Sequence, residues 1–273
     1  MGYRTSELPP VDLDEFAKIP FMERMKILQL HWVKYGFGTP KQTVIFYVWK
    51  IFFYALFGLI FCGAFTKGLE FDNIAGWWHE PILYQKLMVW TILMEVLGLA
   101  ATCGPMAFHF DPPIGGVLYW WQNDTLRVPP YPNHLPWSKG NRRTPWDTGL
   151  YKLIVFWLVM MMFLSGDQVA GLPAGSAGVM PRWALVTYCA LIVLMGTRDK
   201  IVFLSARSEQ YVPTMMYFGL FANFHDMIIA AKICMVVIWM GAGFSKLQHG
   251  FSSTVAIMIQ NTPWNSSQKL RMA

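Results

Sequence analysis

The sequence predicts an all-α integral membrane protein. The expected form is a polytopic helical bundle of about six spans, with an N-terminal amphipathic interfacial helix and a Pro/Trp-rich cytoplasmic loop. Three observations predict it. Of the 273 residues, 55% are hydrophobic and 14% are charged, against about 25% charged in a soluble domain. Apolar runs of roughly 18 residues or more recur, which is the length that crosses a hydrocarbon core. Lys and Arg concentrate before the first run, in loop 105–148, around 197–211 and after the last run, and thin out in the other connections.

The N-terminus, MGYRTSELPPVDLDEF, is polar, and the first apolar run begins near Val44. No cleavable signal peptide is expected, so that run would act as its own insertion signal. GYRTS is too poor a match for a myristoylation start. Residues 21-FMERMKILQLHWVKYG-36 place Phe21, Met25, Leu28, Trp32 and Tyr35 on one helical face, with Arg24, Lys26 and Lys34 outside the stripe. Such a helix suits the membrane interface; the competing reading is a helix packed on the protein's own loops. Spans are expected at 44–65, 87–103, 150–165, 183–196, 212–224 and 227–244. A re-entrant 212–224 would put the basic C-terminus outside, so six spans fit the charge pattern better.

Loop 105–148 holds 8 of the 17 prolines and is too aromatic for disorder. It reads as a structured cytoplasmic cap with Trp120, Trp121 and Trp137 as interface aromatics. Two short strands, around VLYWW and TLRVP and joined by 122-QND-124, are expected in it. The chain then divides into a cytoplasmic segment 1–43, a transmembrane bundle 44–245 that includes the loop, and a C-terminal interfacial segment 246–273. In the last of these, 251-FSSTVAIMIQ-260 is apolar but too short to span.

Ionisable side chains inside the hydrocarbon are costly and mark candidate sites. Glu95 falls at the middle of the second expected span, about 12 Å from either end. Lys50 and Lys232 lie closer to opposite interfaces, and Glu95 could pair with either. Lys246 and His249 share a face at i, i+3 at the end of the last span. Lys232 and Lys246 are about 21 Å apart along that helix and cannot serve one compact site. Glu95, Lys232, Lys246 and His249 are the candidate catalytic residues; a buried structural ion pair and helix-end cations are the competing readings. His225 and Asp226 precede the last span, with Asp226 placed to cap it. With Trp120 and Trp121 they are the candidate cofactor-binding residues. Gly241 and Ser245 form a small-xxx-small pair that admits a close helix neighbour. The charges of 198-RDK-200 read as a span end.

No metal site is expected: His109 with Asp111, and His79 with Glu80, lack a third ligand. Cys62, Cys103, Cys189 and Cys234 read as buried free thiols. No GxSxG, P-loop, HExxH or GxGxxG occurs, which removes support for the common hydrolase, NTPase, zinc-protease and dinucleotide readings. The net charge of +6 follows the loop bias, and no aromatic-interleaved basic stripe points to nucleic acid.

The phrases 31-HWVKYGFGTP-40, 83-LYQKLMVWTILMEVLGL-99, 197-TRDKIVFLSARSEQY-211, 225-HDMIIAAK-232 and 240-MGAGFSKLQHGFSSTVAIMIQNTPW-264 resemble a family of bacterial multi-spanning proteins known as a domain of unknown function. The resemblance runs along essentially the whole chain. It implies the bacterial cytoplasmic membrane, with the N-terminus cytoplasmic by loop charge, and a polar region past the NTPW phrase. GAGFSKL also resembles, more loosely, the last spans of a grouping that holds the horizontally transferred transmembrane domain proteins, the vitamin-K-dependent gamma-carboxylases and the DoxX-like proteins. That similarity implies work on quinones or carboxylate groups, by analogy alone.

Three readings therefore stand. The chain is an accessory or structural subunit of a larger membrane complex, or binds a lipophilic cofactor such as a quinone, a lipid or a pigment. The second reading is a membrane enzyme acting on a quinone or acyl lipid with Glu, Lys and His acid–base groups. The third is a transporter, although no Gly/Pro-broken spans in corresponding halves mark a midplane site. Membrane lipids and other membrane subunits are the expected partners.

Overall fold

Capping residues start three of the helices described below, at Asp12, Thr144 and Asp199. The structure, a computed structural model, describes residues 9, 11–35, 49, 52–99, 116–248, 251–252 and 255. Lys50, Cys103, His109, Asp111, His249, residues 100–115 of the long loop and most of segment 246–273 lie outside the described residues. The chain divides into two units, Met1–Val48 with Val237–Ala273, and Trp49–Val236.

In the first unit, α1 (Leu13–Lys18) starts at Asp12, whose carboxylate accepts from the N–H groups of Asp14 and Glu15 at 2.9 and 3.1 Å. Helix α2 (Phe21–Tyr35) follows Pro20, close to the predicted bounds. Of the predicted apolar stripe, Met25 and Leu28 are half-buried. Phe21 is 64% exposed, while Gln29 is buried.

The second unit contains α3 (Phe53–Ala64), α4 (Pro81–Val96), α5 (Val117–Trp120), α6 (Pro145–Phe163), α7 (Arg182–Arg198), α8 (Lys200–Ser205) and α9 (Ser208–Leu220). Helix α10 (Phe224–Ser245) begins in this unit and ends in the other. Among the described residues, α6 and α10 are long and apolar enough to cross a membrane. The fold is all-helical; isolated antiparallel bridges occur at Leu126–Arg142 and Asp167–Val179.

Two expectations are corrected by helix-end chemistry. The second apolar helix runs from Pro81 to Val96, not from 87 to 103. Pro81 occupies the first turn, where its missing N–H costs nothing. At the other end Gly98 takes a left-handed φ of 72°. Its N–H donates to Glu95 O and the Leu99 N–H to Met94 O, a Schellman stop. Glu95 therefore sits at a helix end rather than mid-span, and Lys86 lies inside the helix. The predicted strand at VLYWW is instead helix α5. The TLRVP segment pairs with 141–143 through Arg127 N–H to Asn141 O and Arg143 N–H to Thr125 O. The fifth apolar segment is also shifted, from 212–224 to Ser208–Leu220. Its helix is α9, which Arg207, with a φ of 49°, separates from the short α8 before it.

Helix α4 packs on α6, α6 on α7, and α7 on α9. Tyr151, Ile154, Leu158 and Met161 line one face of α6, and Leu185, Tyr188, Ile192 and Met195 one face of α7; these spacings are helical. Helix α3 reaches α4 and the 3-10 segment Phe71–His79 before it through glycines. A Cβ on Gly58 would stand 2.7 Å from the Trp90 ring, and one on Gly63 2.2 Å from the Trp77 ring. Aromatic rings fill the remaining space, with Phe61 at 5.5 Å from Trp90 and Phe65 at 4.8 Å from Phe163 between centroids. Cys62, Cys189 and Cys234 are buried free thiols, as expected.

Candidate functional site

Three arrangements bring together polar groups that are distant in sequence. The first is a buried cluster of Arg127, Arg143, Arg198, Asp147 and Asp199, all at most 8% exposed. It forms because 144-TPWD-147 builds a capping box at the start of α6, with Asp147 accepting from the Thr144 N–H at 2.8 Å. The same carboxylate meets the Arg198 guanidinium and lies 3.6 Å from Arg127. Arg143 meets Asp199. Asp199 also accepts from the N–H groups of Val128 (3.3 Å) and Ile201 (3.0 Å).

Three cations face two anions, and backbone carbonyls with the Thr125 and Thr144 hydroxyls supply further acceptors. Arg127 donates to Arg142 O (3.1 Å), Arg198 O (2.9 Å) and Lys139 O. Arg143 donates to Leu126 O at 2.8 Å, and Arg198 to Trp137 O at 2.6 Å. Burial lowers the pKa of the Arg127 guanidinium, and the Asp147 charge opposes that. The planar fork of Arg suits such multiple acceptors. The cluster clasps loop 116–144 to the start of α6 and the end of α7. The charges of 198-RDK-200 stand at a helix end, as read from sequence, and Arg198 and Asp199 are in addition buried members of this cluster.

The second arrangement surrounds Glu95. Its carboxylate is 3.2 Å from Arg207 Nε, and Tyr54 and Tyr211 lie within electrostatic range of the pair. Among the described residues Glu95 pairs with Arg207 and not with Lys232; Lys50, the other expected partner, lies outside them. Tyr54 sits in the π-helical turn Phe53–Phe57, and Arg207 in the left-handed break before α9. Both irregularities are of kinds that concentrate at functional sites.

The third arrangement is a cavity of about 250 Å³ between the start of α4, the end of α9 and the start of α10. Trp78, Pro81, Met88, Phe218, Phe224 and Ile228 give it apolar walls, with His79, Tyr84 and Gln85 as polar members. Trp78 is 66% exposed and Tyr84 47%, so the cavity communicates with the surroundings. Gln85 is buried, and its Oε1 accepts from the Met180 N–H at 2.6 Å. The next residue, Lys86, is fully buried and donates to Phe65 O at 2.8 Å. No carboxylate pairs with it among the described residues.

Of the residues singled out from sequence, Glu95 is buried, and His249 lies outside the described residues. Lys232 is exposed on α10, and Lys246 is exposed. His225 and Asp226 are exposed, and the cap of α10 is Asn223, whose side chain accepts from the His225 N–H at 2.9 Å. Asp226 instead lies in the first turn, where it favours the helix dipole. Trp120 is fully buried, packed edge-on against Tyr151 at 5.8 Å, rather than at an interface. Trp121 and Trp137 are about half exposed, with the Lys152 ammonium 4.8 Å from the Trp121 ring. No group of three His, Cys, Asp or Glu side chains could hold a metal among the described residues.

The sequence signals for the missed residues were Pro81, which draws Gln85 and Lys86 into α4, and the TPWD box, which marks Asp147.

A transmembrane family of unknown function, DUF3556, matches residues 1–273. The chain belongs to the DUF3556 family. Like the family, it is a transmembrane protein, in keeping with the two span-length helices. No curated protein and no solved structure matches it.

Proposed function

We propose that this DUF3556 protein binds a lipophilic small molecule within the membrane. The cavity at Gln85 carries the reading: a partly open space of about 250 Å³ with almost wholly apolar walls has the character of a small-molecule site. A quinone, an acyl lipid or another apolar cofactor fits such walls. The Glu95–Arg207 pair with Tyr54 and Tyr211 supplies acid–base groups that would suit an enzyme, but they are not among the cavity's lining residues. A binding role is therefore favoured over catalysis. The six-span topology, the cytoplasmic N-terminus and the bacterial inner membrane belong to the same proposal and rest on loop charge and sequence resemblance.

The test is retention of a lipophile. Protein purified in mild detergent and washed of bulk lipid should release one apolar molecule in near-stoichiometric amount on solvent extraction, read by mass spectrometry. Met88→Trp and Ile228→Phe, which fill the cavity, should each reduce that amount severalfold. Equal retention by all three proteins would overturn the reading.

A second reading, an accessory subunit of a larger membrane complex, is favoured by α10. Ile229, Ile233, Val236, Trp239, Met240 and Phe244 are all more than half exposed on it, and a Cβ at Gly241 or Gly243 would meet nothing within 4 Å. Small residues on an open helix admit a neighbouring helix. A stoichiometric partner that survives gentle solubilisation and is lost in Gly241→Leu would establish it, and a lone chain under the same conditions would remove it.

A further inference from the structure

We infer that Lys152, held by Trp121, forms a site for the phosphate of an anionic phospholipid on the outer side of α6. The inference is independent of the cavity and requires only that α6 crosses the bilayer. Trp146, Leu153, Phe156, Val159 and Phe163 are each at least 40% exposed. At about 100° per residue they share one side of the helix, and Lys152 falls on that side. Lys152 is exposed, whereas Asp147, the other charge of α6, is buried. Lys152 stands about 10 Å along the helix from Pro145, just before the apolar run that opens with Leu153. An ammonium at the edge of a lipid-facing stripe lies at head-group level.

The protein supplies no counter-charge there. Among the described residues Lys152 has no carboxylate partner and no hydrogen-bond acceptor. Its ammonium lies 4.8 Å from the Trp121 ring, a contact that positions the charge and leaves N–H donors to spare. Trp121 is itself fixed to α6 by its neighbours. Trp120 packs on Tyr151 at 5.8 Å, and Asn123 Oδ1 accepts from Thr148 Oγ1 at 2.7 Å. Gly149, one turn before Lys152, leaves room beside the ammonium: a Cβ there would meet nothing within 4 Å. A phosphate oxygen fits the charge, and acyl chains fit the side chains from Leu153 onward. The exposed Asp, Glu, Lys and Arg side chains of 116–152 are Asp124, Lys139, Arg142 and Lys152. A zwitterionic head group would bring its own cation to this positive surface. An anionic one does not, and that selects the lipid class.

The experiment compares phosphatidylglycerol and phosphatidylcholine of identical acyl chains on the full chain in detergent, with affinity read by native mass spectrometry. Phosphatidylglycerol should bind about fivefold more tightly, the scale of one lysine beside anionic lipid. Lys152→Gln should bring the two lipids to equality, and Lys152→Arg should keep the preference. Trp121→Leu should lower it. Lys200→Gln removes another exposed cation beside the same loop and should leave it intact. Glycerol 3-phosphate, a head group without chains, should not displace the lipid. Equal binding of both lipids by the unaltered protein would overturn the inference, as would a preference that survives Lys152→Gln or is unchanged in Trp121→Leu. Equal losses in Lys152→Gln and Lys200→Gln would replace the site by diffuse charge. Displacement by glycerol 3-phosphate would replace the lipid by a soluble anion. An acidic protein that copurifies and is lost in Lys152→Gln, with no lipid preference, would replace it by a protein partner.

Discussion

Two buried carboxylates in this chain hold arginines in different surroundings, and the difference sets what each is worth. Asp199 is fully enclosed, and so is its partner Arg143. Removing the charge in Asp199→Asn leaves a guanidinium buried opposite a neutral amide, a change that costs about 3–5 kcal/mol. Glu95 is also buried, but the Arg207 side chain is 39% exposed, and water can solvate it when the carboxylate is lost. Glu95→Gln should therefore cost about 1 kcal/mol or less. Thermal unfolding of both variants in one detergent checks the order. A Glu95→Gln loss as large as that of Asp199→Asn would show that the Glu95 pair is sealed from solvent. Neither partner was identifiable from spacing, because Arg143 and Asp199 are 56 residues apart and meet through the folded loop.

At the scale of elements, close approach between helices depends on the glycines of α3. The Trp77 ring is pinned by its indole N–H, which donates to Glu70 O at 2.9 Å, so it cannot retreat from a side chain at Gly63. Gly63→Val should destabilise the protein by about 1–3 kcal/mol through overpacking. Gly149 in α6 is the contrast: a Cβ there meets nothing within 4 Å, and Gly149→Ala should stabilise the helix by up to about 1 kcal/mol. Melting temperatures that move in the same direction for both would refute this account. Helix bounds followed their caps more faithfully than their apolar runs. Pro81 and Gly98 were visible signals, and they outweigh the hydrophobicity of 97–103 because a backbone hydrogen-bond pattern ends where its geometry ends.

For the whole molecule, a helix long enough to cross the membrane between loops 116–144 and 164–181 makes a topological prediction. Cysteines placed at Lys139 and at Gly171 should be labelled by an impermeant maleimide from opposite faces of sealed vesicles. The background is low because Cys62, Cys189 and Cys234 are buried, and Cys103→Ser removes the fourth thiol. Labelling of both positions from one face would mean that α6 does not cross. The sequence by itself determined the helical membrane class, the buried thiols and the presence of a structured aromatic loop, because composition and periodicity act locally and repeat along the chain. Only the tertiary structure decided that Glu95 meets Arg207, that Arg198 and Asp199 are buried anchors, and that Gln85 borders a cavity. Each of these depends on which helix ends adjoin in space, and helix periodicity carries no information about that.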